Sequence, residues 1–163
     1  MTANEQKAGA RRQIGSDEIG LNPNSGREKD LFRWFLASFL FGKRIRQETA
    51  RKTYEVLIEE GIDTPDDIIK TGWMSLVHKL DKGGYTRYDE STASMLIADS
   101  HMLKDKYEGK VRNIFAAASS RKDLEDRLDE FKGVGPKTIE IFLRDIEQPM
   151  SIARGARSRR RAA

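Results

Sequence analysis

The segment EKDLFRWFLASFLFG at residues 28–42 constrains the fold more than any other part of the chain. It is long enough for about four helical turns, and its apolar side chains cover nearly the whole circumference of such a helix. A helix that is apolar all round is stable only when it is buried. The segment therefore predicts a central helix around which the rest of the chain packs, and its aromatic residues are assigned to the core rather than to base stacking.

From Glu28 to the hairpin, the chain keeps a helical period that is interrupted by short turns. Thr64 is followed by Pro65, an arrangement that predicts an N-cap and a first helical residue. Ser120, with Asp123 three residues later, predicts a second cap. No segment has a convincing strand pattern, so the fold class is predicted as all-α, a compact bundle of short helices with disordered N- and C-terminal tails.

Composition divides the chain into three predicted parts. Residues 1–26 are polar and rich in Gly, Asn and Ser, which predicts a disordered leader. Residues 27–148 are predicted to form one helical domain with a hairpin at 122–147. Residues 149–163 hold five of the arginines and no acid, although the whole chain carries a net charge of only +4. This basic tail predicts salt-sensitive attraction to phosphates, with a merely solvated end as the alternative.

The residue types that are absent exclude several classes of site. The chain has no cysteine, so disulfides, thiolate zinc sites and iron–sulfur clusters are excluded. With only two histidines, little is left for a transition-metal site, and no cofactor is expected apart from a monovalent cation considered below. No apolar run reaches 18 residues and the first residues lack the apolar core of a signal peptide, which predicts a cytoplasmic protein without a membrane partner.

The segment FKGVGPKTIEIFLRDI at residues 131–146 is the most specific local pattern. Its two glycines, Gly133 and Gly135, are expected to turn the backbone with positive φ, and Val134 between them is expected to enter the core. Pro136 suits the first turn of a helix because it lacks the N–H that would be unpaired there. The free N–H groups beside Lys137 predict an anion site that fits a nucleic-acid phosphate. A purely structural turn is the alternative.

This segment resembles the helix-hairpin-helix of the endonuclease III-like DNA glycosylase superfamily, whose motif reads L-P-G-V-G-x-K-T-A. Phe131 and Lys132 stand where the family has Leu-Pro, and the matching residues are Gly133, Val134, Gly135, Lys137 and Thr138. A weaker resemblance extends over about 30–146, through LASFLFGKRIRQETARKTY and RYDESTASMLIADSHMLKDKYEGKV.

The resemblance implies a DNA-binding protein of base-excision repair, associated with the nucleoid in a bacterium or archaeon. Its hairpin would hold the DNA backbone, and Arg87 and Tyr88 in GGYTRYDES would contact duplex DNA beside a flipped nucleotide. The implied DNA-binding residues are Gly133, Val134, Gly135, Lys137, Thr138, Arg87 and Tyr88. Backbone carbonyls of Asp129, Phe131 and Val134 would hold a monovalent cation, Na⁺ or K⁺. In bifunctional members the lysine at the position of Lys137 attacks the sugar C1′ and forms a Schiff base.

The chain departs from the family where the catalytic aspartate is expected. That position falls near Gly155, inside SIARGARSRRRAA. Asp145 is a poor substitute, because it lies two turns, roughly 12 Å, along the helix from Lys137. The helices that follow in the family are not found in the sequence, and whether a partner chain or a second copy supplies them stays open. Abasic-site lyase activity through Lys137, non-catalytic DNA binding, and an interaction module with a purely structural turn all stay open.

Overall fold

The computed structural model describes residues 13–152, and all regular structure within that range is helical. The all-α prediction is therefore confirmed. The first twelve residues of the predicted leader, and the five arginines of the predicted tail, lie outside the described range. No helix in this range is long and apolar enough to cross a membrane.

Eight α-helices follow one another with short links. They are α1 (Glu28–Phe41), α2 (Gln47–Glu59), α3 (Pro65–Thr71), α4 (Trp73–Lys82), α5 (Asp89–Tyr107), α6 (Arg112–Ala117), α7 (Arg121–Asp129) and α8 (Pro136–Arg144). A 3₁₀ turn at Ser16–Ile19 precedes them, and a second at Thr86–Tyr88 links α4 to α5. Residues 149–152 begin a further helical turn at the limit of the described range.

Helix α1 is the buried centre that its sequence predicts. All of its residues from Trp34 to its end are buried, and it packs against α2 on one side and α8 on the other. The Trp34 indole N–H donates to the carbonyl oxygen of Phe142 at 3.0 Å. Phe35 lies edge-on to the rings of both Phe131 and Phe142, with centroids 5.4 and 5.5 Å away. These contacts fix α8 against α1 and place the turn before α8 at the end of α1.

The helix caps read from the sequence are also confirmed. The Thr64 hydroxyl accepts from the Asp67 N–H at 3.1 Å, and Pro65 is the first residue of α3. The Ser120 hydroxyl accepts from the Asp123 N–H at 3.0 Å at the start of α7. Because each cap satisfies an N–H that the helix itself leaves unpaired, these short helices begin at defined residues.

The predicted disordered leader is wrong for residues 13–26. Ile14 and Leu21 are buried in the core, and the Ile14 N–H donates to Gln47 Oε1 at 3.1 Å. The Ser16 N–H donates to the Asp145 carboxylate at 2.7 Å. The segment packs because two buried apolar side chains and a few specific polar contacts hold it. Its low overall apolar content gave no sign of these contacts.

The predicted boundary at residue 148 is likewise too early. Met150 and Ile152 are partly buried against the core, so the first residues assigned to the tail pack with the helical body. The Ile152 N–H donates to the Gln148 carbonyl at 3.2 Å. Within the described range, the helical body therefore extends to residue 152.

We expect Ile14→Ala to lower the free energy of unfolding by about 2–4 kcal/mol, because it removes most of a buried side chain and leaves a cavity. Chemical denaturation of the full chain measures this change. Asp17→Ala, at an exposed position of the same segment, is the matched control and should change stability by less than about 0.5 kcal/mol. Equal, small effects of both substitutions would show that the segment does not pack in solution.

Candidate functional site

The turn between α7 and α8, residues 130–135, is called the glycine turn below. Gly133 has φ of 76°, in the left-handed region that favours glycine, as predicted. The prediction of positive φ is wrong for Gly135, whose φ of −114° and ψ of −169° are extended. One positive-φ residue is enough because the Val134 N–H closes the turn by donating to the Phe131 carbonyl at 3.2 Å. Val134 is buried, as predicted.

Two glycines allow the last turn of α1 to touch the glycine turn and α8. A Cβ on Gly133 would lie 2.8 Å from Phe39 Cε2 and 2.7 Å from Met95 Sδ. A Cβ on Gly42 would lie 2.1 Å from Thr138 Oγ1. Such distances are too short for real side chains, so these contacts require glycine. They bring the residue after Gly42 next to the start of α8.

The N-terminus of α8 presents unpaired backbone N–H groups. Gly135 is the N-cap and has no side chain to accept a hydrogen bond, and Pro136 has no N–H. The first helical hydrogen bond runs from the Ile139 N–H to the Gly135 carbonyl at 3.0 Å. The N–H groups of Lys137 and Thr138 therefore have no helical acceptor. Together with the positive end of the helix dipole, they favour an anion at this position.

Of the residues that the sequence predicts to bind DNA, the glycine turn exposes only some groups. The Lys137 side chain is exposed. The Thr138 and Val134 side chains are buried, and the Val134 N–H is used within the turn. Thr138 can therefore offer a ligand only its N–H group. Space is open beside Gly135, where a Cβ would have no atom within 4 Å.

Arg87 and Tyr88 lie at the same end of α1. The Tyr85 hydroxyl donates to the Leu40 carbonyl at 2.9 Å and so fastens their 3₁₀ turn to the last turn of α1. The Arg87 guanidinium lies over the Tyr88 ring, 5.4 Å from its centroid. The fold thus brings both residues, like the glycine turn, against the end of α1.

The cations around the end of α1 lack ion pairs within the described range, whereas most other lysines and arginines there have one. We call this set the basic end, and it comprises Lys43, Arg44, Arg46, Arg87, Lys132 and Lys137. Ion pairs elsewhere include Arg33 with Asp63 at 2.6 Å and Lys106 with Glu130 at 2.7 Å. Lys52, Lys70 and Lys110 also have no ion pair among residues 13–152. Cations without ion pairs near N–H groups that lack acceptors strengthen the attraction of an anion.

Sequence reasoning missed Lys43, Arg44 and Arg46. They occupy the link between α1 and α2, in the string GKRIR, which contains no acid. The string GKRIR directly follows the helix predicted to be central. Its place in the sequence could therefore have indicated that these charges lie at one end of the core.

The Lys43 and Asp99 side chains both form hydrogen bonds with the backbone of the glycine turn. Lys43 Nζ donates to the Gly133 carbonyl at 3.1 Å and lies 4.7 Å from the centroid of the Phe39 ring. Burial lowers the pKa of Lys43, while the Asp99 carboxylate acts in the opposite sense. Asp99 Oδ1 accepts from the Lys132 N–H at 2.7 Å. Nothing in the sequence marks Asp99, because its helix position looks like any polar one.

The Asp99 carboxyl is only 5 % exposed, and its Oδ2 has no hydrogen-bond partner among the described residues. Burial raises its pKa to about 7, opposed by the Lys132 N–H and by the charges of Lys132 and Lys43. A cavity of about 10 Å³ lies beside it, lined also by Phe35 and Ser100. The carboxyl therefore carries an electrostatic cost at neutral pH that the fold retains.

The geometry gives less support to the predicted monovalent-cation site and to a catalytic role for Asp145. Of the three carbonyls predicted to hold a monovalent cation, that of Phe131 already accepts from the Val134 N–H. The neighbouring Gly133 carbonyl is taken by Lys43. A cation would thus share Phe131 with a hydrogen bond, and this site stays a prediction. Asp145 is bonded to the Ser16 N–H at the far end of α8 and faces the N-terminal segment.

A larger cavity of about 510 Å³ lies near the opposite, N-terminal end of α1. Phe32 and Pro65 line it, and its charged groups include the ion pair of Lys104 with Asp66. Among residues 13–152 no cluster of His, Cys, Asp or Glu could hold a metal ion. Most charged groups that line this cavity have partners, whereas the cations of the basic end have no ion pair among residues 13–152. The basic end is therefore the stronger candidate site.

Gly133→Ala should destabilise the protein by about 2–4 kcal/mol, since it combines a left-handed φ with overpacking against Phe39 and Met95. Gly135→Ala should change stability by less than about 1 kcal/mol, because its backbone is extended and the space is open. Thermal and chemical denaturation compare the two. A tolerated Gly133→Ala would contradict the described turn.

Asp99→Asn should stabilise the protein more at pH 8 than at pH 5. A carboxyl pKa raised by folding contributes stability that is complete below the ordinary value of 3.8 and is lost as pH rises through about 7. The amide keeps an acceptor for the Lys132 N–H without the charge. We expect the stability gained by the substitution to grow by about 1–3 kcal/mol between these pH values.

Urea denaturation of both proteins at the two pH values measures this difference. Asp126→Asn, at an exposed position of α7, is the control and should show little change with pH. A pH-independent effect of Asp99→Asn would mean that Asp99 titrates like an ordinary surface carboxyl.

Comparisons with family models, with curated proteins and with solved structures returned no match to this chain. The resemblance of residues 131–138 to a helix-hairpin-helix therefore stays a prediction. What the chain can do has to be inferred from the basic end itself, which combines two unpaired N–H groups, a half-buried lysine and five further cations.

Proposed function

We propose that this protein binds the backbone of duplex DNA through the basic end and acts in base-excision repair. The observation that carries the proposal is the N-terminus of α8, where the Lys137 and Thr138 N–H groups lack acceptors and Gly135 leaves open space. A phosphate oxygen fits such a position, and its charge is favoured by the helix dipole.

The distribution of charge supports a polyanion over a single small anion. Six cations without ion pairs among residues 13–152 lie in the segments around the end of α1, and two of them, Arg44 and Arg46, follow Lys43 along the link to α2. Such a set contacts several phosphates of one strand better than it encloses one ligand. The five arginines of residues 154–161 would add further attraction, although they lie outside the described range. The resemblance to the endonuclease III-like superfamily favours duplex DNA that is damaged or abasic.

We further propose that the bound DNA is an abasic-site duplex, cleaved by a lyase reaction through an amine at the basic end. The resemblance assigns this role to Lys137. Lyase chemistry needs an amine near the sugar C1′. It does not need a carboxylate, because an abasic site has no glycosidic bond left to break. Asp145 is a poor substitute for such a carboxylate, because it lies at the far end of α8 from Lys137 and accepts from the Ser16 N–H. Repair of an existing abasic site is thus better supported than excision of a base.

Non-catalytic DNA binding is the second candidate, and the exposure of Lys137 favours it. An exposed lysine at the second position of α8 is well placed to contact a phosphate. A lysine in that position adds charge without the desolvation that usually activates an amine. Both candidates share the phosphate contact, so one experiment tests their common basis.

We expect Gly135→Asp to weaken DNA binding without loss of stability. An aspartate at the N-cap accepts hydrogen bonds from the N–H groups of α8, so it occupies the phosphate position and repels the phosphate charge. Affinity for a short duplex, measured by fluorescence anisotropy at low salt, should fall by about tenfold or more, since one charged hydrogen-bonded contact is worth about 1.5–3 kcal/mol.

Gly135→Ala is the matched control, because it fills the same open space without a charge and should bind within about threefold of the unaltered protein. The affinity of the unaltered protein should also fall as salt rises, in proportion to the phosphates contacted. Undetectable binding to any duplex at low salt, or full binding by Gly135→Asp, would contradict the proposal.

A further inference from the structure

We propose that the Lys43 ammonium is a built-in cation of the glycine turn, which positions the turn for a phosphate and takes the place of a bound Na⁺ or K⁺. The inference rests on the proposed function, because its readout is the affinity for a DNA phosphate at the N-terminus of α8. It concerns the same turn as the predicted monovalent-cation site, and it assigns the positive charge there to a side chain of the protein itself.

Lys43 differs from the other five cations of the basic end in where its charge lies. Its side chain is half-buried, whereas the other five are exposed. Its Nζ donates to the Gly133 carbonyl at 3.1 Å and lies 4.7 Å from the centroid of the Phe39 ring. Burial lowers the pKa of Lys43, and the Asp99 carboxylate opposes this effect. A carbonyl dipole, an aromatic face and a carboxylate each stabilise the ammonium form.

The peptide unit between Gly133 and Val134 is hydrogen-bonded at both of its polar ends. Its carbonyl accepts from Lys43 Nζ, and its N–H donates to the Phe131 carbonyl at 3.2 Å. Hydrogen bonds at both ends fix the plane of this peptide, which directly precedes Gly135, the N-cap of α8. The direction in which the unpaired N–H groups of α8 point therefore depends on Lys43.

A bound Na⁺ or K⁺ fits this turn poorly. The Phe131 carbonyl, one of the three predicted ligands, already accepts from the Val134 N–H. The Gly133 carbonyl, which stands between those of Phe131 and Val134 in the sequence, is bonded to the ammonium of Lys43. Two positive charges at one turn repel each other, and they do so more strongly where burial lowers the dielectric constant. The ammonium thus disfavours a second cation and supplies the charge that the ion would bring.

The first test compares the duplex affinity of the unaltered protein in KCl, NaCl and tetramethylammonium chloride at equal concentrations. The methyl groups of tetramethylammonium keep its charge away from backbone carbonyls, so it cannot replace a coordinated metal ion. We expect affinities within about threefold of one another in the three salts, because Lys43 supplies the cation. A larger fall in tetramethylammonium chloride would show that a bound metal ion is required and would overturn the inference.

The second test replaces Lys43 with Met, which keeps an apolar stem but removes the charge and the donor to Gly133. We expect the affinity for a short duplex to fall by about tenfold, because a charged hydrogen bond to the turn is lost. Lys43→Arg keeps a positive charge and a donor, and it should bind within about threefold of the unaltered protein. Full binding by Lys43→Met would overturn the positioning role.

The salt dependence of binding separates a positioning residue from a phosphate contact. Removal of a side chain that contacts a phosphate reduces the slope of log affinity against log salt by about 0.9. Lys137→Met should show this loss, because Lys137 is exposed on the first turn of α8. Lys43→Met should leave the slope unchanged and lower the affinity by the same factor at every salt concentration. An equal loss of slope in both variants would mean that Lys43 contacts DNA directly, which contradicts the inference.

These outcomes are distinct from failure of the proposed function. A requirement for K⁺ or Na⁺, or full binding by Lys43→Met, overturns the inference and leaves the phosphate contact in place. Undetectable binding of the unaltered protein to any duplex at low salt overturns both. Circular dichroism and urea denaturation show whether a lost affinity in Lys43→Met reflects a lost fold. The comparison of salts uses the unaltered protein and does not depend on the folding of any variant.

Discussion

The rest of this structure depends on the contact of the last turn of α1 with the glycine turn and the start of α8. This contact is possible because two of the positions in it are glycines. Gly42 lies against Thr138 and Gly133 lies against Phe39, at distances that no Cβ would allow. Because α1 is buried on all sides, its last turn can reach the start of α8 only through this contact. The positions of Lys43, of the glycine turn and of the free N–H groups of α8 all follow from it.

A second constraint is electrostatic. The turn is fixed from inside by Asp99, whose carboxylate accepts the Lys132 N–H, and from the side by Lys43, whose amine donates to Gly133. Each group is partly removed from water, which disfavours its charge, and each partly restores the charge of the other. The arrangement trades stability for a rigid turn whose outer N–H groups stay unpaired. Functional sites often retain such costs because they hold groups ready for a ligand.

The parts of the fold that local rules determine could be predicted from the sequence. The apolar circumference of residues 28–42 required a buried helix. Thr64 and Ser120 marked helix starts because their side-chain hydroxyls accept hydrogen bonds from the backbone N–H groups three residues later. The packing of residues 13–26 could not be predicted, because it depends on Gln47 and Asp145, which are distant in sequence. Lys43 was missed for a similar reason. A lysine after a glycine looks like a surface residue until α8 is placed against it, and only the assembled core shows that it is half-buried.

The hydrogen bonds that join the two ends of the described chain have a consequence for the far side of α8. Ser16 and Asn24 bond to Asp145, and the Glu147 N–H donates to Asn24. Helix α8 is short, about 12–14 Å, so its C-terminal end is clamped by the N-terminal segment while its N-terminal end forms the turn. The N-terminal segment therefore fixes the position of the C-terminal end of this short helix. Any event that released residues 13–26 would free the C-terminal end of α8, and we expect the proposed phosphate contact at the other end of this helix to change with it.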